Sequence, residues 1–178
     1  GVITESDAAQ IASGDLNATD VDNPADFIPQ TFAAGNNGYG KFTIDATGTW
    51  IYTMDTAHNE FVAGTDYTDS ITVASVDGTA TQVITVTIHG TNDTASISGT
   101  STDTLTETNA ILSAGGTLAV TDPDTGENIF TAQTNVAGNN GYGKFSINAA
   151  GDWTYTMDTA HNEFVAGTDY TDSITVAS

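Results

Sequence analysis

Gly38–Ser75 reads GYGKFTIDATGTWIYTMDTAHNEFVAGTDYTDSITVAS, and Gly141–Ser178 reads GYGKFSINAAGDWTYTMDTAHNEFVAGTDYTDSITVAS, so 33 of 38 positions are identical at an offset of 103. Inside the first copy, Phe42 and Ile44 alternate with Lys41, Thr43 and Asp45. Trp50, Tyr52 and Met54 alternate with Thr49, Ile51 and Thr53. A period of two is the signature of a half-buried strand. Ala46-Thr47-Gly48, matched by Ala149-Ala150-Gly151, supplies the hairpin turn between the two strands. Further on, Ile84, Val86 and Ile88 alternate with Thr85, Thr87 and His89. Asp55 to Ala63 breaks the alternation, and there a short helix is expected, capped by Asp55, turning Phe61 and Val62 inward and closed by Gly64.

Upstream, Thr4-Glu5 aligns with Thr106-Glu107 and Asp20-Val21-Asp22 with Asp122-Pro123-Asp124, both at an offset of 102, so one indel lies between Asp22 and Gly35. A period of about a hundred residues is the size of one β-sandwich domain, not of a solenoid turn. The expected domains are 1–93 and 94–178. The second opens with Thr94 to Gly99, which has no counterpart before Gly1, and the first continues through VDGTATQVITVTIHGTND, which has none after Ser178. The first copy is therefore expected to lack a short opening strand and the second its last strand, as in a piece of a longer array. Open edges of this kind invite strand addition from another chain.

Composition agrees with an all-β chain. Asp outnumbers Glu 18 to 5, there are only four leucines, and Thr, Val, Ile and aromatic residues dominate. Turns use Asp and Gly, and strands use β-branched and aromatic side chains. At a formal charge of -21, with two lysines and no arginine, phosphate neutralisation fails, so neither nucleic acid nor an anionic membrane is an expected partner. No apolar run reaches the roughly 18 residues of a membrane span. With no cysteine, stabilisation by disulfides and thiolate metal sites is excluded.

The densest oxygen chemistry lies where the copies meet. His89-Gly90-Thr91-Asn92-Asp93 ends the first copy, and Val120-Thr-Asp-Pro-Asp-Thr-Gly-Glu-Asn128 places Asp122 and Asp124 two apart before Gly126. Hard cations such as Ca²⁺ take six to eight oxygens, which such a loop supplies. The same letters also describe a plain hydrophilic turn, and the spacing alone leaves both readings open.

Other constellations are weaker. Trp50 and Trp153, with Tyr52 and Tyr155, offer a sugar-stacking platform, but their phase with Met54 and Met157 favours the core. His58, His89 and His161 read as solvated surface residues. The chain has no G-x-S-x-G elbow. Asp66 and Asp69 read as turn or cation carboxylates rather than a glycosidase pair. Gly35 to Gly40 and Gly138 to Gly143 share only glycine content with phosphate loops. No enzyme is expected.

The Asp-x-Asp-x-Gly-x-Asn pattern, the Asn92-Asp93 linker and a Glu near the first strand resemble cadherin repeats. Gly48-Thr-Trp-Ile-Tyr-Thr-Met-Asp55, the following Asp-Tyr-Thr-Asp-Ser-Ile-Thr-Val and Gly90-Thr-Asn-Asp93 are similar to the VCBS repeats of giant bacterial adhesins. The resemblance covers essentially the whole chain. It implies tandem cadherin-like or Ig-like antiparallel β-sandwiches, each with one short helix, in a type I-secreted RTX-type biofilm adhesin at the extracellular bacterial surface. It also implies Ca²⁺ at inter-domain junctions, held by Asn92, Asp93, Asp122, Asp124 and Asn128, with Glu5 and Asp66 from the first domain. Asn23-Pro24-Ala25-Asp26 departs from the motif, and no acidic-Arg-acidic triplet precedes Tyr67. Glu107, Asp20 and Asp22 are assigned to further junctions. The implied function is that of an extender, with neighbouring repeats as partners. The alternatives are a polysaccharide-binding module and a fibre subunit completed by strand exchange.

Overall fold

The computed structural model describes residues 1–178, which divide into two compact units, Gly1–Asp93 and Thr94–Ser178. The first contains β1 (Val2–Thr4), β2 (Ile11–Asp15), β3 (Gln30–Ala34), β4 (Gly40–Ile44), β5 (Thr49–Met54), β6 (Asp66–Ala74) and β7 (Thr81–His89). These form two sheets, β1-β7-β6 and β2-β5-β4-β3. The alternation read from the sequence sets their facing. Phe42, Ile44, Trp50, Tyr52 and Met54 from one sheet join Ile71, Val73, Ile84, Val86 and Ile88 from the other in one buried cluster. Each large apolar side chain so buried contributes about 1.5–3 kcal/mol. The sandwich is not wholly antiparallel, because β1 runs parallel to β7, pairing Val2 with Thr87 and Thr4 with His89.

The hairpin turn forms as expected. Gly48 takes φ 95, and Asp45 Oδ1 accepts the N–H groups of Thr47 at 2.9 Å and Thr49 at 3.0 Å. In β3 a bulge falls between Gln30 and Ala33, and Phe32 within it sits at φ 51.

The second unit carries β8 (Ser96–Gly99), β9 (Ser113–Thr121), β10 (Gln133–Ala137), β11 (Gly143–Ile147) and β12 (Asp152–Met157), in one sheet ordered β10-β11-β12-β9-β8. Its inner cluster of Leu118, Phe130, Ile147 and Trp153 is smaller. Residues 169–177 are identical to those of β6 yet form no strand. They are anchored by the N–H of Thr131 on the Ala177 carbonyl at 2.8 Å and the N–H of Asn139 on that of Ser173 at 2.9 Å. Ile174 and Val176 are half-buried, whereas Ile71 and Val73 are buried.

The expected helix after β5 is absent, and 55–64 runs through irregular turns. His58 at φ 60 breaks any right-handed helical run. Phe61 does turn inward, and Gly64 at φ 74 does reverse the chain.

The five positions at which the two hairpins differ are Thr43, Asp45, Thr47, Thr49 and Ile51, replaced by Ser146, Asn148, Ala150, Asp152 and Thr154. None of the ten is buried, and every inward residue of the hairpin is the same in both copies.

Candidate metal centre

In the first unit the acidic groups gather where β7 ends. Glu5 follows β1, and its N–H donates to the His89 carbonyl at 2.8 Å, which fixes the side chain's direction. That side chain belongs to a residue only 2% exposed. Oε2 accepts from the N–H of Thr91 at 3.3 Å and from the Thr91 hydroxyl. Oε1 is buried with no hydrogen-bond partner. A buried carboxylate oxygen without a donor is costly, and a cation is the natural group to satisfy it. Asp66 behaves differently, because its Oδ1 lies 2.6 Å from His89 Nδ1. Asn92 donates its amide to the Asp93 carbonyl and is exposed; Asp93 is half-buried.

In the second unit the loop after β9 folds on itself. The N–H of Asp124 donates to Asp122 Oδ1 at 3.0 Å, and Gly126 at φ 89 turns the chain so that the Glu127 N–H reaches the Asp124 carbonyl at 3.3 Å. Carboxylate oxygens of Asp122, Asp124 and Glu127 lie within 4.8 Å of one another, and Asp124 is 2% exposed. Three like charges so close repel by about 1 kcal/mol per pair even in water, and by more where water is excluded. A hard divalent cation reverses that balance, and an all-oxygen donor set suits Ca²⁺. The donor set fits the ion. Sequence reasoning misses Glu127, because the family pattern points to Asn128 instead. Asn128 is exposed, and the only sequence signal for Glu127 is its carboxylate directly after Gly126.

The equivalent loop of the first unit closes on its own first carboxylate. Asp20 Oδ1 accepts the N–H groups of Asp22 and Asn23, both at 3.0 Å. These bonds, that from Asp22 foremost, hold the Asp20 carboxyl below the usual carboxylate range. Asp22 and Glu107 are exposed.

Asp69 is neither a turn residue nor a cation ligand. It is 0% exposed, and its carboxylate accepts the N–H groups of Asn37 at 2.9 Å, Tyr39 at 3.2 Å and Gly40 at 3.1 Å, with the Tyr52 hydroxyl at 3.2 Å. The glycine-rich loop thus does cradle an anion, the chain's own. Asp172 repeats the arrangement with Asn140 at 2.9 Å, Tyr142 at 3.0 Å and Gly143 at 3.1 Å. Burial, with the Asp172 charge behind it, pushes the Tyr155 hydroxyl up to about 12, so it stays a donor.

Trp50 and Trp153 are buried in the cores rather than displayed. Two histidines depart from expectation. The side chains of His58 and His161 are only 12% and 10% exposed, and both ring nitrogens of each are engaged by Glu60 or Glu163 and by a backbone carbonyl. No ring nitrogen of either is left to serve a nucleophile.

Two facing β-layers with carboxylate loops at strand ends define a modular sandwich of the cadherin-like class. The bacterial cadherin-like domain family matches residues 1–90, half of the chain, and the chain belongs to that family. No curated protein matches the sequence. Cadherin-like domains are typically non-catalytic structural modules. No helix of the chain is long and apolar enough to cross a membrane.

Proposed function

We propose that the chain is an extender segment of a large secreted bacterial adhesin of the VCBS and RTX type. In this reading it spaces a distal adhesive region from the cell and supports biofilm formation, and Ca²⁺ at the junctions stiffens the array. The observation that carries the reading is Glu5, whose buried Oε1 has no partner. The Asp122–Asp124–Glu127 cluster supplies a second set of oxygens. The proposed ligands are Glu5, Asn92, Asp93, Asp122 and Asp124, with Glu127 added. Asp66 is the weakest member because His89 already holds it.

The mechanism is linkage. A cation that binds the aligned, folded array more tightly than the loose one shifts the population toward alignment, and at one hundred times its Kd it adds about 2.7 kcal/mol to folding stability. Small-angle scattering and calorimetry during a calcium titration test this. The expected result is a longer maximum dimension and a higher melting temperature, both reversed by chelator. Unchanged dimensions and melting temperature would overturn the proposal. Burial of Trp50 and Trp153 weighs against those two as a sugar-stacking platform, and a glycan array separates the polysaccharide-binding alternative.

A further inference from the structure

His58 and His161 occupy the same place in the two units, in the turn that follows β5 and β12. Each takes a left-handed backbone, φ 60 and φ 50. The His58 ring stacks on Phe61 with centroids 4.8 Å apart, and Phe61 stacks on Tyr67 at 3.8 Å, while Tyr39 meets the His58 ring edge-on at 5.5 Å. His161, Phe164, Tyr170 and Tyr142 repeat the arrangement. His58 Nδ1 lies 2.7 Å from Glu60 Oε1, and Nε2 lies 2.9 Å from the Tyr39 carbonyl. The corresponding distances at His161 are 2.7 Å to Glu163 and 2.8 Å to the Tyr142 carbonyl.

An ionised carboxylate and a carbonyl can only accept. Both ring nitrogens must therefore carry hydrogen, and only the imidazolium satisfies both bonds. A neutral ring sets one lone pair against an oxygen.

The loop that each histidine pins is not idle. Val62 N donates to the Tyr67 hydroxyl at 3.1 Å, and the Thr65 carbonyl accepts the N–H of Gly90 at 3.0 Å. A side chain at Gly90 would meet the Val62 carbonyl at 2.3 Å. The loop thus presses on the exit of β7, one residue before Thr91.

We propose that His58 and His161 are proton-operated latches. Charged, each ties its loop, 55–65 or 158–168, to the neighbouring glycine-rich loop; neutral, each releases it. The inference is independent of the cation reading.

Glu60 and Tyr39 face His58 directly; Tyr67 lies behind Phe61, and Asp55, on the same turn, is 3.5 Å from Lys41 Nζ. Around His161 the corresponding groups are Glu163, Tyr142 and the charge of Asp158 (3.9 Å from Lys144 Nζ), with Tyr170 behind Phe164. The bond to Glu163, then that to the Tyr142 carbonyl, raises the His161 pKa above its ordinary value, and the same bond to His161 lowers that of Glu163. A raised histidine gives stability that is fully present below its unfolded pKa and lost as pH rises through the folded one. A depressed glutamate gives stability that is present above its unfolded pKa and lost as pH falls through the folded one. The latch at His161 is therefore closed from mildly acidic to near-neutral pH and opens on the alkaline side.

Proton NMR titration of the full chain, with hydrogen exchange read at the Thr65, Thr168 and Gly90 amides, tests the proposal. His161 should titrate above its ordinary value of about 6.5, and Glu163→Gln should lower that midpoint. Loop protection, corrected for intrinsic exchange, should fall about tenfold from pH 6.5 to 8.5, and the fall should vanish in His58→Gln and His161→Gln. Titration of His161 at or below the ordinary histidine value, or protection of either loop indifferent to pH, overturns it. The wild-type titration decides alone if a variant fails to fold.

Discussion

The Asp69 carboxylate fills the space that a side chain at Gly35 would need, since a Cβ built there lies 2.0 Å from Asp69 Oδ2. Gly35 begins the loop whose N–H groups hold that carboxylate, so glycine and aspartate form one unit of structure. Gly35→Ala forces the carboxylate out of its cradle, and Asp69→Ala strips the acceptor from three N–H groups, that of Gly40 buried and those of Asn37 and Tyr39 part-buried. Each should cost about 3–5 kcal/mol, measured by urea unfolding followed through tryptophan fluorescence. Loss below about 1 kcal/mol would show that the loop reorganises around water.

Phe32 and Asn135 are the same bulge position, at φ 51 and φ 53. Asparagine tolerates that region, whereas phenylalanine is strained there, and at 73% exposure Phe32 has little packing to compensate. Phe32→Asn should therefore raise stability by about 0.5–1 kcal/mol, seen as a shifted denaturation midpoint at unchanged slope.

Two glycines with positive φ separate strain from clash. At Gly38, φ 75, nothing lies within 4 Å of the position a methyl group would take, whereas at Gly48, φ 95, a Cβ would sit 2.1 Å from the Leu16 carbonyl. Gly38→Ala should cost about 1 kcal/mol, the backbone penalty alone. Gly48→Ala should cost at least twice that, and equal losses in thermal melts would contradict the assignment.

Glu5→Gln tests the orphaned oxygen directly. It keeps the Thr91 contact within reach but removes the charge, so the calcium-dependent rise in melting temperature should shrink while stability in chelator holds or improves. Asp122→Ala with Asp124→Ala should likewise abolish the calcium response and leave both sandwiches folded by circular dichroism. An undiminished response in both variants would place the ion elsewhere.

The hairpins are legible in the sequence because their alternation is local, and a strand's inward set follows from period two alone. The turn at 55–64 is not. Its shape depends on His58 and Phe61, whose partners Tyr39 and Tyr67 arrive from other elements, so no window of neighbouring letters encodes it. Asp66 and Asp69 look alike in sequence, yet one faces His89 at the surface and the other lies in the core. Glu127 escapes because the family pattern draws attention one residue further on.

Residues 66–74 and 169–177 share every letter, and only the first is a strand, because β7 lies beside it. Strand state here is a property of the ladder partner and not of propensity. Extending the chain beyond Ser178 with a copy of Val76–Gly90 should turn 169–177 into a strand. Slowed amide exchange across those residues is the expected reading, and unchanged exchange would refute the dependence.

The two hairpins present identical inward side chains and differ only outward. Either hairpin would therefore offer the other unit's core the same side chains, and only outward pairs, Thr49 with Asp15 and Asp152 with Thr117, tell the copies apart while the chain folds. Beyond those exposed pairs, correct assembly rests on tethering, since the adjacent hairpin has the higher local concentration, and on the order in which the units emerge during synthesis. Near-identity of repeats, harmless in the finished molecule, makes refolding of the whole chain prone to exchanged hairpins in a way that folding from the ribosome is not.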